Sequence, residues 1–148
     1  YRKHQRDFLA PYDGVIDTLQ ELTKRGITMG VLSDAPRDKI FDRLCDADLD
    51  QYFEDNVVGG NDNRKLLKPS ENAFKRALRM MGCKNGKGVL MVGNDPVRDV
   101  GGAKDAGLQA AWAKYGFEPR RDENVSKMRT RADYVLEQFS DLLKYVTK

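Results

Sequence analysis

The chain has 148 residues, of which 40% are hydrophobic, and its 26 basic and 23 acidic residues give a net charge of +3. This length and composition indicate one folded domain with its own core and exclude a disordered chain. Charges of both signs are interspersed, which argues against nucleic acid as a partner, and no apolar run is long enough to span a membrane. Cys45 and Cys83 have neither disulfide-framework nor zinc-site spacing, which favours a cytoplasmic setting.

The first part of the chain predicts a helix followed by a buried strand. Residues 13–25 place apolar side chains at helical spacing, with Asp13 as the N-cap and Gly26 as the stop. Residues 27–32 are mostly aliphatic and carry no charge. Such a run is typical of a strand that is covered on both faces.

The middle of the chain predicts two more helices and a weak strand. Ser33 or Asp34 can cap a helix whose first turn contains Pro36. Residues 56–58 predict the weak strand, and residues 70–81 carry an apolar stripe at helical spacing. The chain therefore alternates between helices and strands.

The second half continues this alternation. Residues 89–92 form an apolar run bounded by glycine on each side, which predicts a buried strand. Asp95 as N-cap and Pro96 as first helical residue predict a helix that stops at Gly107. Further strands are predicted at 108–113 and 134–136, a surface loop at 116–131 and a terminal helix at 140–146.

Strands that alternate with helices predict an α/β fold, a doubly wound parallel sheet in a single domain. Ligands of such sheets bind beyond the carboxyl ends of the strands. The hydroxyl of Ser33 and the free amides of the following helix can donate to a phosphate, and Lys68 offers a compact positive charge. Asp95 and Asp99 offer hard oxygen ligands for Mg²⁺, and the glycine pair at 101–102 suggests close backbone approach.

Each of these residues also has a purely structural interpretation. Ser33 after a strand is more often only a helix cap, and Lys68 before a proline is usually a solvated loop residue. Asp95 and Asp99 are favourable near a helix start because of the helix dipole alone. The ordered set of a strand ending in serine, a Lys-Pro before a helix and a strand followed by two acids favours a phosphate site.

Three segments in this order resemble the motifs of the haloacid dehalogenase-like (HAD) hydrolase superfamily. ITMGVLSDAP resembles its second motif, KPSENAFKRAL its third and VGNDPVRDVGGAKDAG its fourth. The resemblance covers nearly the whole chain and implies a Rossmann-like core over residues 1–148, with residues 1–10 as the tail of a cap region.

The resemblance also implies roles for individual residues. It gives phosphate binding to Ser33, with Asp34 beside it, and makes Lys68 the catalytic residue that stabilises phosphate and nucleophile. The implied reaction is attack by an aspartate on a phosphate ester, followed by hydrolysis of the aspartyl-phosphate by water.

The metal that the resemblance implies is Mg²⁺. Asp99 would take part in binding it. The other acid falls on Asp95 if the shorter spacing of the motif applies, whereas the common form of the motif places Asn94 there, as a weaker neutral ligand or a neighbouring group.

The first motif of the superfamily, Asp-x-Asp-Gly-Thr, carries the nucleophile and is not in this sequence, since Asp7, Asp13 and Asp17 follow no apolar strand. In the superfamily that strand lies between the strand ending before Ser33 and the one ending at Val92. We therefore expect two unpaired strand edges. We also expect the 148 residues to be a truncated form, inactive by itself.

Two functions from different classes follow. The first is a cytoplasmic Mg²⁺-dependent phosphatase acting on a small phosphorylated metabolite, complete only with an N-terminal segment. The second is a non-catalytic phosphate- or partner-binding module that completes its sheet with another chain, for example as a strand-exchanged homo-oligomer. A phosphoacceptor receiver domain is disfavoured because the N-terminal acidic cluster is missing. Dehalogenase and phosphonatase chemistry remain open, and so does the identity of the substrate.

Overall fold

The computed structural model describes residues 11–60, 63–117 and 130–146. Its helices alternate along the chain with strands that pair in parallel. The α-helices in these ranges are α1 (Val15–Lys24), α2 (Arg37–Asp46), α3 (Glu71–Met80) and α4 (Gly102–Asp105), the last continuing a π-helical segment, Pro96–Gly101.

The strands of these ranges form two sheets. In the first sheet, β1 (Val31–Leu32) pairs with β2 (Val57–Val58). In the second, β3 (Leu90–Gly93), β4 (Gln109–Ala113) and β5 (Tyr134–Leu136) lie in that order. Every pair is parallel, which confirms the α/β fold with parallel strands.

Strand β4 separates two hydrophobic clusters. Ala110 and Trp112 belong to a cluster that includes Phe74 of α3. The intervening Ala111 belongs to a cluster that includes Leu22 of α1. Since successive side chains of a strand point to opposite faces, the second sheet is covered on both faces, as a doubly wound fold requires.

Two strands are less buried than predicted. Only Val31 and Leu32 of the predicted strand 27–32 pair with a neighbour, and both are half-buried, as are all four residues of β3. The prediction that both strands are buried was therefore wrong in part. The reason is that no described strand pairs with β1 or β3 on the edges that face each other. The expected pair of unpaired edges is thereby confirmed.

A cleft of about 830 Å³ lies between these edges. Residues 26–32 line one side and 88–93 the other, and none of the described residues that line this central cleft carries a charge. The cleft is partly open at the surface, so water or a polypeptide segment can enter it.

The helix ends follow the sequence signals in part. Ser70 caps α3 by accepting the N–H of Asn72 at 3.3 Å. Asp13 does not cap α1, because Gly14 occupies the N-cap position with φ 81°, which suits glycine. The predicted terminal helix at 140–146 is present as a 3-10 helix, Phe139–Lys144.

Residues 1–10, predicted as the tail of a cap region, and most of the predicted loop 116–131 lie outside the described residues. None of the helices in the described ranges is long and apolar enough to cross a membrane.

Candidate phosphate and metal site

The carboxyl ends of β1 and β3 meet at one end of the central cleft, which we call the mouth. Ser33 follows β1 directly, and Asp99 lies in the π-helical segment after β3. Lys68 comes from the loop before α3 and reaches Asp99. The structure thus brings Lys68 and Asp99 into contact and places Ser33 directly after β1.

Lys68 and Asp99 form an ion pair between Nζ and Oδ1, with side-chain exposures of only 13% and 6%. The second oxygen of Asp99, Oδ2, accepts the backbone N–H of Asp95 at 3.1 Å. Lys68 is therefore not a solvated loop lysine. A buried pair of this kind is strongly coupled, because removing either charge leaves the other without compensation.

Gly93 makes room for this arrangement. A Cβ atom at Gly93 would lie 2.4 Å from both Cβ and Oδ2 of Asp99. Any larger residue at the end of β3 would thus displace the carboxylate from the mouth. Gly93 thus leaves space for the Asp99 carboxylate, a role that the sequence alone did not indicate.

Asp95 is the N-cap of the π-helical segment, as predicted. Its Oδ1 accepts the N–H groups of Val97 and Arg98, both at 2.9 Å. Its Oδ2 makes no hydrogen bond to the described part of the chain. The cap and the metal-ligand interpretations are compatible, since each uses a different oxygen.

Asn94 connects the ends of β3 and β4. Its Nδ2 donates to the carbonyl of Gly116 at 2.7 Å, and its own backbone carbonyl accepts the indole N–H of Trp112 at 2.9 Å. The nitrogen of the side-chain amide is thus engaged in a hydrogen bond to Gly116. Its oxygen is the only atom of this side chain with the chemistry of a metal ligand.

Neither Ser33 nor Asp34 caps α2, whose N-cap residue is Pro36. The hydroxyl of Ser33 accepts the N–H of Ala35 at 3.2 Å, which keeps Ser33 at the start of the turn. Asp34 accepts the backbone N–H of Lys68 on Oδ1 at 2.8 Å, and its Oδ2 pairs with the guanidinium of Arg98. The carboxylate of Asp34 thus connects the loop that contains Lys68 to the segment after β1. The sequence did not predict this role.

Arg98 is the residue of the mouth that sequence reasoning missed. In the sequence, an arginine next to Asp99 has the pattern of an ordinary exposed helix residue. Its partner, Asp34, lies 64 positions away in the chain, so the pair has no local signal.

The oxygen atoms that these side chains offer are of the type that binds Mg²⁺. Two carboxylates, of Asp95 and Asp99, and the amide oxygen of Asn94 are hard ligands, and Mg²⁺ is usually held by one or two carboxylates together with water and substrate phosphate. The described residues contain no group of three or more acidic, histidine or cysteine side chains that could hold a metal alone. Water or phosphate oxygens would complete the coordination.

The two glycines at 101–102 differ in their surroundings: one is closely packed and the other has free space beside it. A Cβ at Gly102 would lie 2.7 Å from the ring of Phe74, whereas a Cβ at Gly101 would meet nothing nearer than the Pro96 carbonyl at 3.5 Å. Gly102→Ala should therefore lower the free energy of unfolding by about 1–3 kcal/mol. Gly101→Ala should raise it by up to about 1 kcal/mol, because alanine favours the helix. Urea unfolding of both variants checks this, and equal effects would contradict it.

The parallel α/β fold places Lys68 and Asp99 at the carboxyl ends of its strands, where ligands of such sheets bind. The sequence profile of the haloacid dehalogenase-like hydrolases matches residues 1–113. The chain belongs to this family.

Relatives and solved structures agree with this assignment. The chain is 28% identical to a glyceraldehyde 3-phosphate phosphatase of Pyrococcus furiosus over 100% of its own length and 59% of the relative. It is 30% identical to the pyrophosphatase PpaX of Bacillus mycoides over 99% of its length and 64% of the relative. A HAD phosphatase from Thermococcus onnurineus superposes with a TM-score of 0.72 at 26% identity, over 90% of this chain and 57% of the other. The chain thus spans about 60% of the length of these relatives.

Proposed function

We propose that this chain is the core of a Mg²⁺-dependent phosphatase of the HAD type that acts on a small phosphorylated metabolite. The observation that carries the proposal is the buried Lys68–Asp99 pair at the mouth, the end of the cleft where Ser33 follows β1. Two relatives named as phosphatases support the same chemistry. Their names refer to glyceraldehyde 3-phosphate and pyrophosphate, which are both small phosphate compounds.

Each residue of the mouth has a task in this proposal. The hydroxyl of Ser33 and the amides after β1 donate to the phosphate oxygens, while Lys68 compensates their charge. Asp95 and Asp99, with Asn94, hold the cation. Bound Mg²⁺ would supply positive charge to the phosphate oxygens.

The nucleophile is an aspartate outside these residues in our proposal. It attacks phosphorus and gives an aspartyl-phosphate, while the leaving oxygen takes a proton from a second acid, and water then hydrolyses the intermediate. The sequence contains no Asp-x-Asp-Gly-Thr. We infer that the 148 residues alone bind phosphate but do not turn substrate over.

Phosphate binding by the chain tests this function directly. Calorimetric titration with inorganic phosphate should show binding that needs Mg²⁺, and Lys68→Met or Ser33→Ala should weaken it at least about tenfold through loss of a charge-assisted contact. Lys104→Met is the matched control, because Lys104 pairs with Asp133 before β5. Binding that is unchanged without Mg²⁺ and in Lys68→Met would refute the proposal.

The central cleft favours a second candidate, a module that binds an extended segment of another chain. Val31 donates its N–H to Asn56 next to β2, and the carbonyl of Val89 accepts from Gln109 of β4. Since successive backbone groups of a strand point to opposite sides, those of Leu32 and Leu90 point into the cleft. Two backbone edges facing each other across an uncharged cleft suit one polypeptide strand.

The chemistry of the cleft defines this occupant. It is an apolar segment of about six residues, matching the length of 88–93, that runs parallel to β1 and β3. Amide exchange at Leu32 and Leu90, with and without such a segment, tests the candidate. Strong association of two copies of the chain without protection of these amides would argue for a different interface.

A further inference from the structure

Two cations at the mouth differ in their exposure to solvent. Lys68 is only 13% exposed, whereas the side chain of Arg98 is 50% exposed. The guanidinium of Arg98 pairs with the carboxylate of Asp34, which is 19% exposed. The mouth therefore presents one buried cation, and a second one that incoming solutes can reach.

Both partners of this pair are held by backbone contacts. The N–H of Arg98 donates to Asp95 at 2.9 Å, in the first turn of the π-helical segment. Asp34 accepts the N–H of Lys68 at 2.8 Å. A single carboxylate thus connects the guanidinium of Arg98 to the backbone of Lys68, so both cations belong to the mouth.

The pair of Arg98 and Asp34 is accessible from the side of Arg98. The Arg98 side chain is 50% exposed and the Asp34 side chain 19%, so the guanidinium is the partner that solvent reaches. Oδ2 of Asp34 is inaccessible to solvent and has no well-aligned hydrogen bond among the described residues. A guanidinium can bind phosphate or carboxylate through two parallel hydrogen bonds, so an incoming anion can replace Asp34 as its partner.

We propose that Arg98 determines substrate specificity by binding a second anionic group. This inference rests on the proposed phosphate site at Ser33 and Lys68. The substrate class is a compound that carries, a few atoms from the phosphate to be hydrolysed, a second phosphate or a carboxylate. Asp34 holds the guanidinium in the free protein and releases it when the second anion arrives.

Calorimetric titrations of the full chain with phosphate and with inorganic pyrophosphate, both with excess Mg²⁺, test this inference. Pyrophosphate should bind at least about tenfold more tightly than phosphate, because it engages Arg98 as well. Arg98→Gln should remove this advantage and change phosphate binding less than about twofold. Asp34→Asn, which keeps an acceptor for the Lys68 N–H, should raise pyrophosphate affinity about threefold by releasing the guanidinium. Lys104→Gln serves as the control for loss of a positive charge elsewhere.

The possible outcomes separate this inference from the function on which it rests. Phosphate binding with no preference for pyrophosphate would overturn the role of Arg98 and leave the phosphate site standing. An equal loss of both affinities in Arg98→Gln would also overturn it, because the residue would then only support the mouth. If the unaltered chain binds neither anion, the proposed function and this inference fail together.

Discussion

A chain that carries an added apolar segment of six residues ending in Asp-x-Asp should hydrolyse phosphate esters in a Mg²⁺-dependent manner, whereas the 148 residues alone should not. The segment would be joined to the amino end through a flexible Gly/Ser linker. It should enter the central cleft, pair with the edges of β1 and β3, and bring its acids to Lys68 at the mouth. The backbone amides of Leu32 and Leu90 should then exchange at least about 100-fold more slowly.

Two matched segments separate pairing from chemistry. A version ending in Asn-x-Asn should protect the same amides without hydrolysis, since an amide is a poor nucleophile. A version with proline at its centre should do neither, because proline removes a ladder hydrogen bond. If the Asp-x-Asp version protects these amides but hydrolyses no phosphate ester, the proposed phosphatase function is contradicted. The proposal that the cleft binds a strand would still stand. Unprotected amides in every version would contradict the strand-binding site itself.

Local signals account for the parts of the fold that were predicted correctly. The segment after β3 begins where Asp95 and Pro96 indicate, because an N-cap and a proline act within one helical turn. Strand β5 has the predicted bounds, Tyr134–Leu136. These features depend on residues close together in the sequence.

The sequence predictions were wrong or incomplete where the structure depends on contacts between residues that are far apart in the chain. Residues 27–30 have the composition of a buried strand, yet they stay unpaired because strand formation needs a neighbour on the open edge. The meeting of Lys68 with Asp99 was predicted from the order of the motifs. Its deep burial was not, since it depends on Gly93 beneath the carboxylate. The contact of Asp34 with Arg98 had no signal in the sequence at all.

Lys68→Met should be the most destabilising substitution at the mouth, lowering the free energy of unfolding by about 3–5 kcal/mol. Methionine fills a similar volume but leaves the carboxylate of Asp99, which is only 6% exposed, without its counter-charge. The double variant Lys68→Met/Asp99→Asn should lose less than the single one, because neither buried charge remains. Lys75→Met is the matched control, since the Lys75–Glu71 pair is 59% and 60% exposed.

The control should change stability by less than about 0.5 kcal/mol, the range of exposed i,i+4 pairs. Urea unfolding of the four proteins at neutral pH provides the comparison. If Lys68→Met costs no more than Lys75→Met, the carboxylate of Asp99 is solvated in solution and the mouth is not a desolvated site. A large cost in the single variant with partial recovery in the double variant would show that Lys68 and Asp99 compensate each other in the absence of any ligand. A phosphate and a Mg²⁺ ion entering the mouth would then each replace one partner of an ion pair that the fold already holds in place.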